Sequence, residues 1–248
     1  MLCFERQQQI LDILKQRRSA TVEFLSKRLY VSAPTIRRDL AQMEEEGMIL
    51  RVRGGAALLE GTNQDAPLLV RTSKNREKKL HIANIAQRYI TDSCTVFLDS
   101  SSTVTVLAEK LDRFKNLSIV TNGTATAQLL NETTSAKIFS CGGVIQNKSS
   151  IVGPFAVQMV NSFYADVLFL SCCGLSLNCG STEASEDSAA VKKAMFYNAK
   201  KKIMLCDSTK LGLEFFCKVC AVSQLDAIIT DEKPNDEFLH NAGIPILF

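Results

Sequence analysis

Hydrophobic positions near the start of the chain recur with helical spacing and predict three short helices. The first helix is expected over residues 5–17 and the second over 22–29, where Thr21 can serve as the N-cap. Ser32 can cap the third helix, and Gly47 is a natural end for it. In the third helix the spacing i, i+4 and i+7 predicts a buried stripe of Ile36, Leu40 and Met43.

The segment after the third helix alternates apolar and basic residues, which predicts a β-hairpin. This hairpin, MILRVRGGA, carries Arg51 and Arg53 and turns at Gly54 and Gly55. Two short helices, a tight turn, a third helix and a hairpin together predict a winged helix-turn-helix domain that is mostly α. A helical protein-interaction module with solvated arginines is the alternative that the pattern leaves open.

The third helix has the shape to enter the major groove of DNA, where side chains near its N-terminus reach base edges. Arg37 and Arg38 lie off the buried stripe, and one of them is expected to contact guanine through two hydrogen bonds. The other arginine would bind phosphates together with Ser32 and Thr35, and the hairpin arginines would add phosphate or minor-groove contacts. The predicted DNA-contacting residues are Ser32, Thr35, Arg37, Arg38, Arg51 and Arg53.

The distribution of charge favours a polyanion as the partner of this first domain. The chain has 29 Lys and Arg and 26 Asp and Glu, a net charge of +3. Residues 1–57 hold ten basic and seven acidic residues, whereas residues 58–248 hold nineteen of each. The whole positive excess therefore lies in the first quarter of the chain.

Residue 78 begins a different pattern, in which short apolar runs alternate with helical stretches. This alternation predicts an α/β domain with a mostly parallel sheet covered on both faces. Strands are predicted at 95–98, 117–121, 136–141, 167–171, 203–206, 219–222, 227–230 and 244–247, and the clearest helices at 103–111, 124–130 and 184–200. Residues 58–77 have no clear period and indicate a linker with a short extended segment at 68–70. The predicted organisation is a DNA-binding domain over 1–57, a linker over 58–77 and an α/β domain over 78–248.

Ligands of parallel sheets bind at the carboxyl ends of the strands, and five predicted strands end in polar or glycine-rich loops. The loop DSSST precedes a helix, where backbone N–H groups and hydroxyls suit a phosphate. Lys210 would supply a positive charge, and Asp99 and Asp207 would accept hydrogen bonds from sugar hydroxyls. The residues expected to bind the ligand are Asp99, Ser100, Ser101, Ser102, Thr103, Thr121, Asn122, Gly142, Gly143, Gly174, Asp207 and Lys210.

Each of these loops also has a purely structural explanation, because hydroxyls and carboxylates commonly cap helices. Their convergence on one edge of the sheet favours a ligand site. For Glu183, Glu186 and Asp187, capping of the following helix and ligand contact stay equally open. Lys192 is expected to be solvated, and the run 200–202 is expected to form a charged helix end.

Composition narrows the class of protein further. Hydrophobic residues make up 46% and charged residues 22%, which excludes wholesale disorder. No apolar run reaches membrane-spanning length and the first residues lack a signal peptide, so a cytoplasmic protein without a membrane partner is expected. The nine cysteines are expected to be reduced. The CxxC of Cys217 and Cys220 lacks a second Cys or His pair, so we predict neither a metal nor another cofactor.

Both parts of the sequence resemble one family of regulators. The segment LSKRLYVSAPTIRRDLAQMEEEGMILRVRGGA is similar to the signature of the DeoR-type family of bacterial transcriptional regulators. Further along, DSSST, TNGT, CGG, the turn at Gly153, AAVKKAM and DSTKLG occur in the order found in the sensor domains of that family. The sequence departs from the family pattern at Arg18, Arg53 and Leu211, where glycine, histidine and an aromatic residue are more usual.

The resemblance implies a fold, a function and partners. The α/β domain would be a sugar-phosphate sensor with a fold similar to ribose-5-phosphate isomerase. The protein would repress a sugar-metabolism operon and leave its operator DNA when a phosphorylated sugar binds. A homodimer or homotetramer is expected, because one DNA-binding domain buries too little surface to be highly specific.

A sugar-phosphate isomerase with an appended helix-turn-helix is the alternative function. In that case Lys210, Asp207 and an acidic residue near Glu186 would move protons between neighbouring carbons. No segment matches the acidic catalytic motif of the isomerase as well as the sensor pattern is matched. We therefore do not expect an enzyme.

Overall fold

The structure is a computed structural model, and it describes residues 3–17, 19–45, 48–52, 54–58 and 68–248. The chain divides into two compact units, Met1–Arg71 and Thr72–Phe248, which we call the N-terminal unit and the C-terminal unit. The limits of the linker, residues 58 and 77, stay a prediction.

Three helices and a three-stranded sheet form the N-terminal unit. Its helices are α1 (Cys3–Arg17), α2 (Val22–Leu29) and α3 (Ala33–Glu45), and its strands are β1 (Ser19–Thr21), β2 (Ile49–Val52) and β3 (Gly55–Leu58). The strands are antiparallel in the order β1-β3-β2, so that β2 and β3 form a wing beside the helices. This arrangement is the predicted winged helix-turn-helix.

Local sequence determines where α2 and α3 begin. The hydroxyl of Thr21 accepts the N–H of Phe24 at 3.1 Å, and the hydroxyl of Ser32 accepts the N–H of Thr35 at 3.4 Å, so both predicted caps are confirmed. Gly47, the expected end of α3, lies outside the described residues. The predicted stripe is confirmed as well, since the completely buried side chains of this unit include Ile10, Leu14, Leu25, Ile36, Leu40 and Met43.

The remaining helices and strands alternate through the rest of the chain. The helices are α4 (Leu68–Ser73), α5 (Arg76–Ala86), α6 (Ser102–Ala108), α7 (Thr124–Thr133), α8 (Pro154–Val160), α9 (Glu186–Tyr197) and α10 (Asp236–Asn241). The strands are β4 (Thr95–Leu98), β5 (Ser118–Thr121), β6 (Lys137–Ser140), β7 (Val144–Gln146), β8 (Ser150–Val152), β9 (Ala165–Leu170), β10 (Gly174–Ser176), β11 (Gly180–Glu183), β12 (Ala199–Leu205), β13 (Cys217–Cys220), β14 (Ala227–Ile229) and β15 (Ile246–Leu247). Short 3-10 turns cover Gln87–Tyr89, Ser208–Lys210 and Val222–Gln224.

A seven-stranded parallel sheet forms the centre of the C-terminal unit, with the strand order β15-β14-β12-β9-β4-β5-β6. Strand β9 shows why both faces are apolar. Val167 and Phe169 pack into one hydrophobic cluster, to which α5 and α6 contribute, and Leu168 and Leu170 pack into another, to which α8 and α9 contribute. A parallel sheet covered on both faces confirms the predicted α/β architecture.

Several details of the chain from residue 68 onwards differ from the prediction. Residues 68–70 begin helix α4 and are not extended. Helix α9 ends at Tyr197, and residues 200–202 lie in β12, where Lys200 and Lys201 are exposed. Strand β13 belongs to a separate antiparallel sheet of order β10-β11-β13, and the hairpin of β7 and β8 is an addition that periodicity did not indicate. Among the described residues, no helix has both the length and the apolar character needed to cross a membrane.

Candidate DNA-contacting surface and ligand site

The predicted DNA-contacting residues of α3 lie on its accessible surface. Arg37 and Arg38 are both exposed, and neither forms an ion pair with another described residue. Ser32 is exposed and its hydroxyl lies 2.8 Å from that of the half-buried Thr35. Two guanidinium groups and two hydroxyls therefore share the beginning of one helix, as contact with phosphates and base edges requires.

The wing is attached to the rest of the N-terminal unit by a hydrogen bond to α3 and by a close backbone approach to β1. The N–H of Arg51 donates to Oε1 of Glu44 at 3.3 Å, which ties β2 to α3, and the Arg51 side chain is half-buried. A Cβ atom at Gly55 would lie 2.2 Å from the carbonyl oxygen of Ala20, so only glycine allows β3 to approach β1 this closely. Arg53 lies outside the described residues.

Hydrogen bonds between loops bring four strand ends of the C-terminal unit together. The Asn122 amide, which follows β5, donates to the hydroxyl of Ser100, which follows β4, at 3.4 Å. The N–H of Ser171, which follows β9, donates to Asp99 at 2.9 Å. Lys210, from the turn after β12, donates to the hydroxyl of Ser171 at 3.2 Å. These five residues form what we call the polar cluster, at the carboxyl ends of parallel strands where ligands of such sheets bind.

The DSSST loop supplies a helix cap as well as hydroxyls. Ser101 caps α6, because its hydroxyl accepts the N–H of Val104 at 3.3 Å. Ser102 and Thr103 are buried within the first turn of α6, and the hydroxyl of Thr103 has no hydrogen-bond partner among the described residues. The structure therefore moves the capping role from Ser102 or Thr103 to Ser101 and leaves Ser100 beside Asn122 in the polar cluster.

Thr121, the last residue of β5, and Asn122, which follows it, differ in how their side chains are satisfied. Thr121 is fully buried and its hydroxyl accepts the N–H of Gly123 at 3.0 Å, which shapes the turn. The Asn122 side chain also donates to the carbonyl oxygen of Ile151 at 3.0 Å, but its Oδ1 is buried without a hydrogen-bond partner among the described residues. Burial of an unsatisfied amide oxygen costs about 1–3 kcal/mol, so a donor from a ligand would stabilise this position.

The three glycines predicted to line the site have different surroundings. A Cβ atom at Gly143 would lie 2.5 Å from the carbonyl oxygen of Val152, and one at Gly174 would lie 2.3 Å from that of Leu213. Both glycines therefore have a packing reason to lack a side chain. Gly142 is exposed, with no atom within 4 Å of the position its Cβ would take.

A buried lysine lies under the polar cluster. Nζ of Lys192, on α9, is 3.0 Å from Oδ2 of Asp99, pairs with Glu183 and donates to the carbonyl oxygen of Ser171 at 2.7 Å. Burial lowers the pKa of Lys192, but the negative charges of Asp99 and Glu183 raise it more, so the net pKa is raised and the lysine stays charged. We call Lys192, Asp99 and Glu183 the ion network.

The ion network changes the role expected for Asp99. One carboxylate oxygen accepts the N–H of Ser101 at 2.9 Å, and the other accepts the N–H of Ser171 and pairs with Lys192. The side chain is 0% exposed. Because the carboxylate is buried and already accepts two N–H groups and pairs with Lys192, it positions two loops of the polar cluster. This geometry does not favour the expected hydrogen bond from a sugar hydroxyl to Asp99.

Lys210 is the cation of the polar cluster that keeps hydrogen-bonding capacity. Its Nζ lies 3.2 Å from the Ser171 hydroxyl and 3.6 Å from Oδ2 of Asp207, although an ammonium group has three donors. Asp207 is itself buried and accepts the hydroxyl of Thr209. Burial lowers the pKa of Lys210, whereas the electrostatic effects of Cys172 and Asp207 raise it, and the net pKa is raised. A charged ammonium group therefore lies at the strand ends with donors still available.

The burial of Lys192 and Glu183 is the feature that sequence reasoning missed. Lys192 lies three residues after Ala189 and three before Met195, which are both buried, so its place in the buried stripe of α9 was the available signal. Glu183 is fully buried at the end of β11 and pairs with Lys192, a contact that is neither of the two roles considered for it from the sequence. Two further acidic residues, Glu186 and Asp187, lie in the first turn of α9.

The cysteines of the described residues show no metal-binding arrangement. No group of three or more Cys, His, Asp or Glu side chains that could hold a metal occurs in the part of the chain that the structure describes. Cys172 and Cys206 are buried with their sulfur atoms 3.8 Å apart. Burial raises the pKa of Cys220, in β13, to about 12, so its thiol is a poor metal ligand and nucleophile at neutral pH.

The fold defines a winged-helix protein that also carries an α/β unit with polar residues at its strand ends. Residues 6–62 match the family model described as a DeoR-like helix-turn-helix domain, and residues 74–232 match the one described as a DeoR C-terminal sensor domain. The chain therefore belongs to the DeoR family, and it is a DNA-binding transcriptional regulator.

The similarity to other bacterial regulators covers nearly the whole chain. The HTH-type transcriptional regulator GolR of Listeria innocua is 32% identical over 99% of this chain and 98% of its own length. The HTH-type transcriptional repressor GlcR of Bacillus subtilis is 32% identical over 98% of this chain and 95% of its own length. Among solved structures, a D-ribose-5-phosphate isomerase in complex with phospho-erythronic acid is 19% identical, with a TM-score of 0.42 over 55% of this chain and 54% of that one. This similarity to the isomerase is too limited to indicate a shared function.

Proposed function

We propose that this regulator is a cytoplasmic repressor of a sugar-metabolism operon and that a phosphorylated sugar, bound at the polar cluster, releases it from operator DNA. The observation that carries the proposal is the position of Lys210. Its ammonium group lies at the carboxyl ends of parallel strands, 3.6 Å from its one carboxylate contact among residues 68–248. The positive charge of Lys192, by contrast, is compensated by the carboxylates of Asp99 and Glu183.

The phosphate of the ligand would bind Lys210 and the nearby hydroxyl groups. A hydrogen bond to a charged group contributes about 1.5–3 kcal/mol, and backbone N–H groups of the DSSST loop would add to it. Oδ1 of Asn122, which is buried without a partner among the described residues, would accept a hydroxyl of the sugar. Ser100 and the exposed Gly142 would complete the contact surface.

The DNA-contacting surface would be the beginning of α3 together with the wing. In this proposal Arg37 or Arg38 contacts a guanine, the other binds phosphate with Ser32 and Thr35, and Arg51 and Arg53 contact the backbone or the minor groove. Two or four copies of the chain would bind repeated half-sites. Ligand binding would lower DNA affinity through a coupling free energy of about 1–3 kcal/mol.

Titration of the full-length protein with sugar phosphates tests the proposal. The DNA is a duplex selected from a random library by the parent protein, and the compounds are pentose and hexose phosphates beside the same sugars without phosphate. We expect at least one sugar phosphate to raise the unfolding temperature and weaken binding of the selected duplex, because a ligand of the folded state stabilises it. The unphosphorylated sugars should do neither.

The variant Lys210→Ala and the control Lys193→Ala locate the site. Lys193 is an exposed lysine of α9, next in sequence to the buried Lys192. Loss of Lys210 should weaken the sugar phosphate by about ten-fold or more while DNA binding without ligand survives. The control should resemble the parent. Parent-like ligand affinity in Lys210→Ala would place the phosphate elsewhere.

We propose no catalytic role for the polar cluster. A proton-transfer base needs a carboxylate that can reach the substrate. Glu183 is buried against Lys192. Asp207 is buried, accepts the hydroxyl of Thr209 and lies beside Lys210. Interconversion of pentose phosphates by the purified parent protein, lost in Lys210→Ala, would contradict this part of the proposal.

A further inference from the structure

Lys78 of α5 contacts the turn that ends at Lys210. Its Nζ donates to the hydroxyl of Ser208 at 2.8 Å and forms ion pairs with Asp231 at 2.8 Å and Glu232 at 2.6 Å. Ser208 is the first residue of that 3-10 turn. Helix α5 and the ammonium group of the polar cluster are therefore joined through one short hydrogen-bonded segment.

Asp231 holds the same turn from the end of the neighbouring strand β14. Its carboxylate accepts the N–H of Ser208 at 2.6 Å and the hydroxyl of Ser208 at 3.0 Å. The Asp231 side chain is 3% exposed, whereas that of Glu232 is 64% exposed. Lys78 is 29% exposed, so solvent partly screens its pair with the buried Asp231. The link therefore rests on the set of contacts among Lys78, Asp231 and Ser208, and the exposed Glu232 pair adds little.

The charges that this link needs are present at neutral pH. The hydrogen bond to Asp231 raises the pKa of Lys78 above its ordinary value. Burial raises the pKa of Asp231, but the hydrogen bonds from Lys78 and Ser208 lower it more, so the net pKa is lowered.

A second contact connects α5 to the helix that follows the DSSST loop. Arg76 forms two hydrogen bonds with Glu109, at 2.6 Å and 3.2 Å, at the end of α6. Both side chains are partly exposed, so the pair by itself stabilises little. It nevertheless means that α5 contacts two of the segments whose loops form the polar cluster.

We propose that Lys78 is a positioning residue, which holds the turn carrying Lys210 and passes movement of that turn to α5. The identity of the bound group rests on the proposed function, whereas the link itself does not. Because Asp231 bonds both Ser208 and Lys78, the turn cannot shift without moving Lys78 or breaking its bonds. Helix α5 is the first helix that lies wholly within the C-terminal unit, so along the chain it is the helix of that unit nearest to the N-terminal unit.

Amide hydrogen exchange in the full-length protein measures both ends of this link. The probe is inorganic phosphate, which carries the chemistry proposed for Lys210. The variants are Lys78→Met, Lys78→Arg and Asp231→Asn, and Lys193→Met is the matched control.

In the parent and the control, phosphate should slow exchange in residues 207–211 and in α5. In Lys78→Met the slowing in residues 207–211 should persist, and the response of α5 should fall about five-fold or more, the lower end of typical coupling between sites. Lys78→Arg should restore the response.

Exchange without phosphate tests the positioning role independently of any ligand. Residues 207–211 should exchange about five-fold or more faster in Lys78→Met and Asp231→Asn than in the parent, because a turn held by fewer hydrogen bonds and ion pairs opens locally more easily. Lys78→Arg and Lys193→Met should keep the parent rate. Should Lys78→Met fail to fold, which thermal unfolding reports, Asp231→Asn answers the same question.

The possible results separate the two proposals. An α5 response in Lys78→Met equal to that of the parent would overturn the transmission of movement. A parent-like rate in residues 207–211 without phosphate would overturn the positioning role. If phosphate changes nothing in the parent, the proposed ligand site fails, and the phosphate-free rates still decide what Lys78 does.

Discussion

Arg6 of α1 holds Asp39 of α3 through a two-pronged ion pair. Nη2 of Arg6 lies 2.9 Å from Oδ1 of Asp39, and Nε contacts Oδ2. The side chains are 13% and 3% exposed, so the pair is nearly shielded from water. Asp39 directly follows Arg38 in the sequence, and the pair therefore fixes the helix that presents the exposed arginines against the first helix of the unit.

Replacement of Asp39 by alanine should destabilise the N-terminal unit. The change leaves the Arg6 guanidinium without this partner in a buried position, and breaking a buried pair on one side typically costs about 3–5 kcal/mol. Urea unfolding of the full-length protein, followed by circular dichroism, measures the effect. Glu23→Ala, at an exposed position of α2, is the control and should change stability by less than about 1 kcal/mol. Equal stability of the two variants would contradict the role given to the pair.

Substitution of the exposed arginines of α3 should weaken DNA binding without unfolding the protein. If one of Arg37 and Arg38 contacts guanine, its loss should cost about 1–3 kcal/mol and relax specificity at one base pair. Loss of the other should weaken all sequences alike and reduce the slope of affinity against salt by about one ion. Titrations of Arg37→Ala and Arg38→Ala with the selected duplex at several salt concentrations distinguish the two. Unchanged affinity in both variants would remove α3 from the major groove.

Lys192→Met should destabilise the C-terminal unit far more than Lys193→Met. The first substitution removes the cation between the buried carboxylates of Asp99 and Glu183, and we expect a loss of about 3–5 kcal/mol in the free energy of unfolding. The second removes an exposed charge one residue further along and should stay within about 0.5 kcal/mol. Denaturant unfolding of both variants checks the prediction. Similar midpoints would mean that the ion network contributes nothing to stability.

The C-terminal unit should lose stability as pH rises above about 9. Burial raises the pKa of Cys141 to about 11, and burial together with the charge of Glu183 raises that of Cys173 to about 12. Between the ordinary thiol pKa and these raised values, the thiols are ionised in the unfolded chain but still protonated in the folded one. The unfolded chain therefore binds fewer protons, and the free energy of unfolding falls as pH rises through this range. Each thiol contributes a slope of about 1.4 kcal/mol per pH unit there. Urea unfolding at about pH 8 and about pH 10 tests this, and Cys141→Ala should lessen the fall. A free energy of unfolding that stays constant over this range would contradict the burial of these thiols.

The N-terminal unit was almost fully predictable because its signals are local. The caps at Thr21 and Ser32 act on residues three positions away, and the buried stripe of α3 repeats within one helix. Strand β1 escaped prediction for the opposite reason. Its three residues carry no period, and they form a strand only because Ala20 pairs with Ala56 across the unit.

In the C-terminal unit the positions of strand ends were predictable, but their contacts were not. Parallel strands place their carboxyl ends at one edge whatever their side chains do, and the loops after β4, β5, β9 and β12 meet there. The fifth expected loop, which follows β6, contributes no residue to the polar cluster. Pairing of Lys192 with Asp99, or of Lys78 with Asp231, joins residues far apart in sequence and leaves no periodic trace. The sequence therefore indicated that Lys192 is solvated, and only the three-dimensional fold shows its buried carboxylate partners.

The parallel sheet also sets the order in which the chain can become functional during synthesis. Val96 of β4 pairs with Val167 of β9, and β9 in turn pairs with β12, so the centre of the sheet has to wait for most of the chain to leave the ribosome. The wing, by contrast, pairs Val52 with Gly55, and its unit is complete long before that. Contacts between distant residues form slowly, whereas local ones form early. A nascent chain would thus complete the fold of its DNA-contacting surface well before the centre of the parallel sheet can assemble.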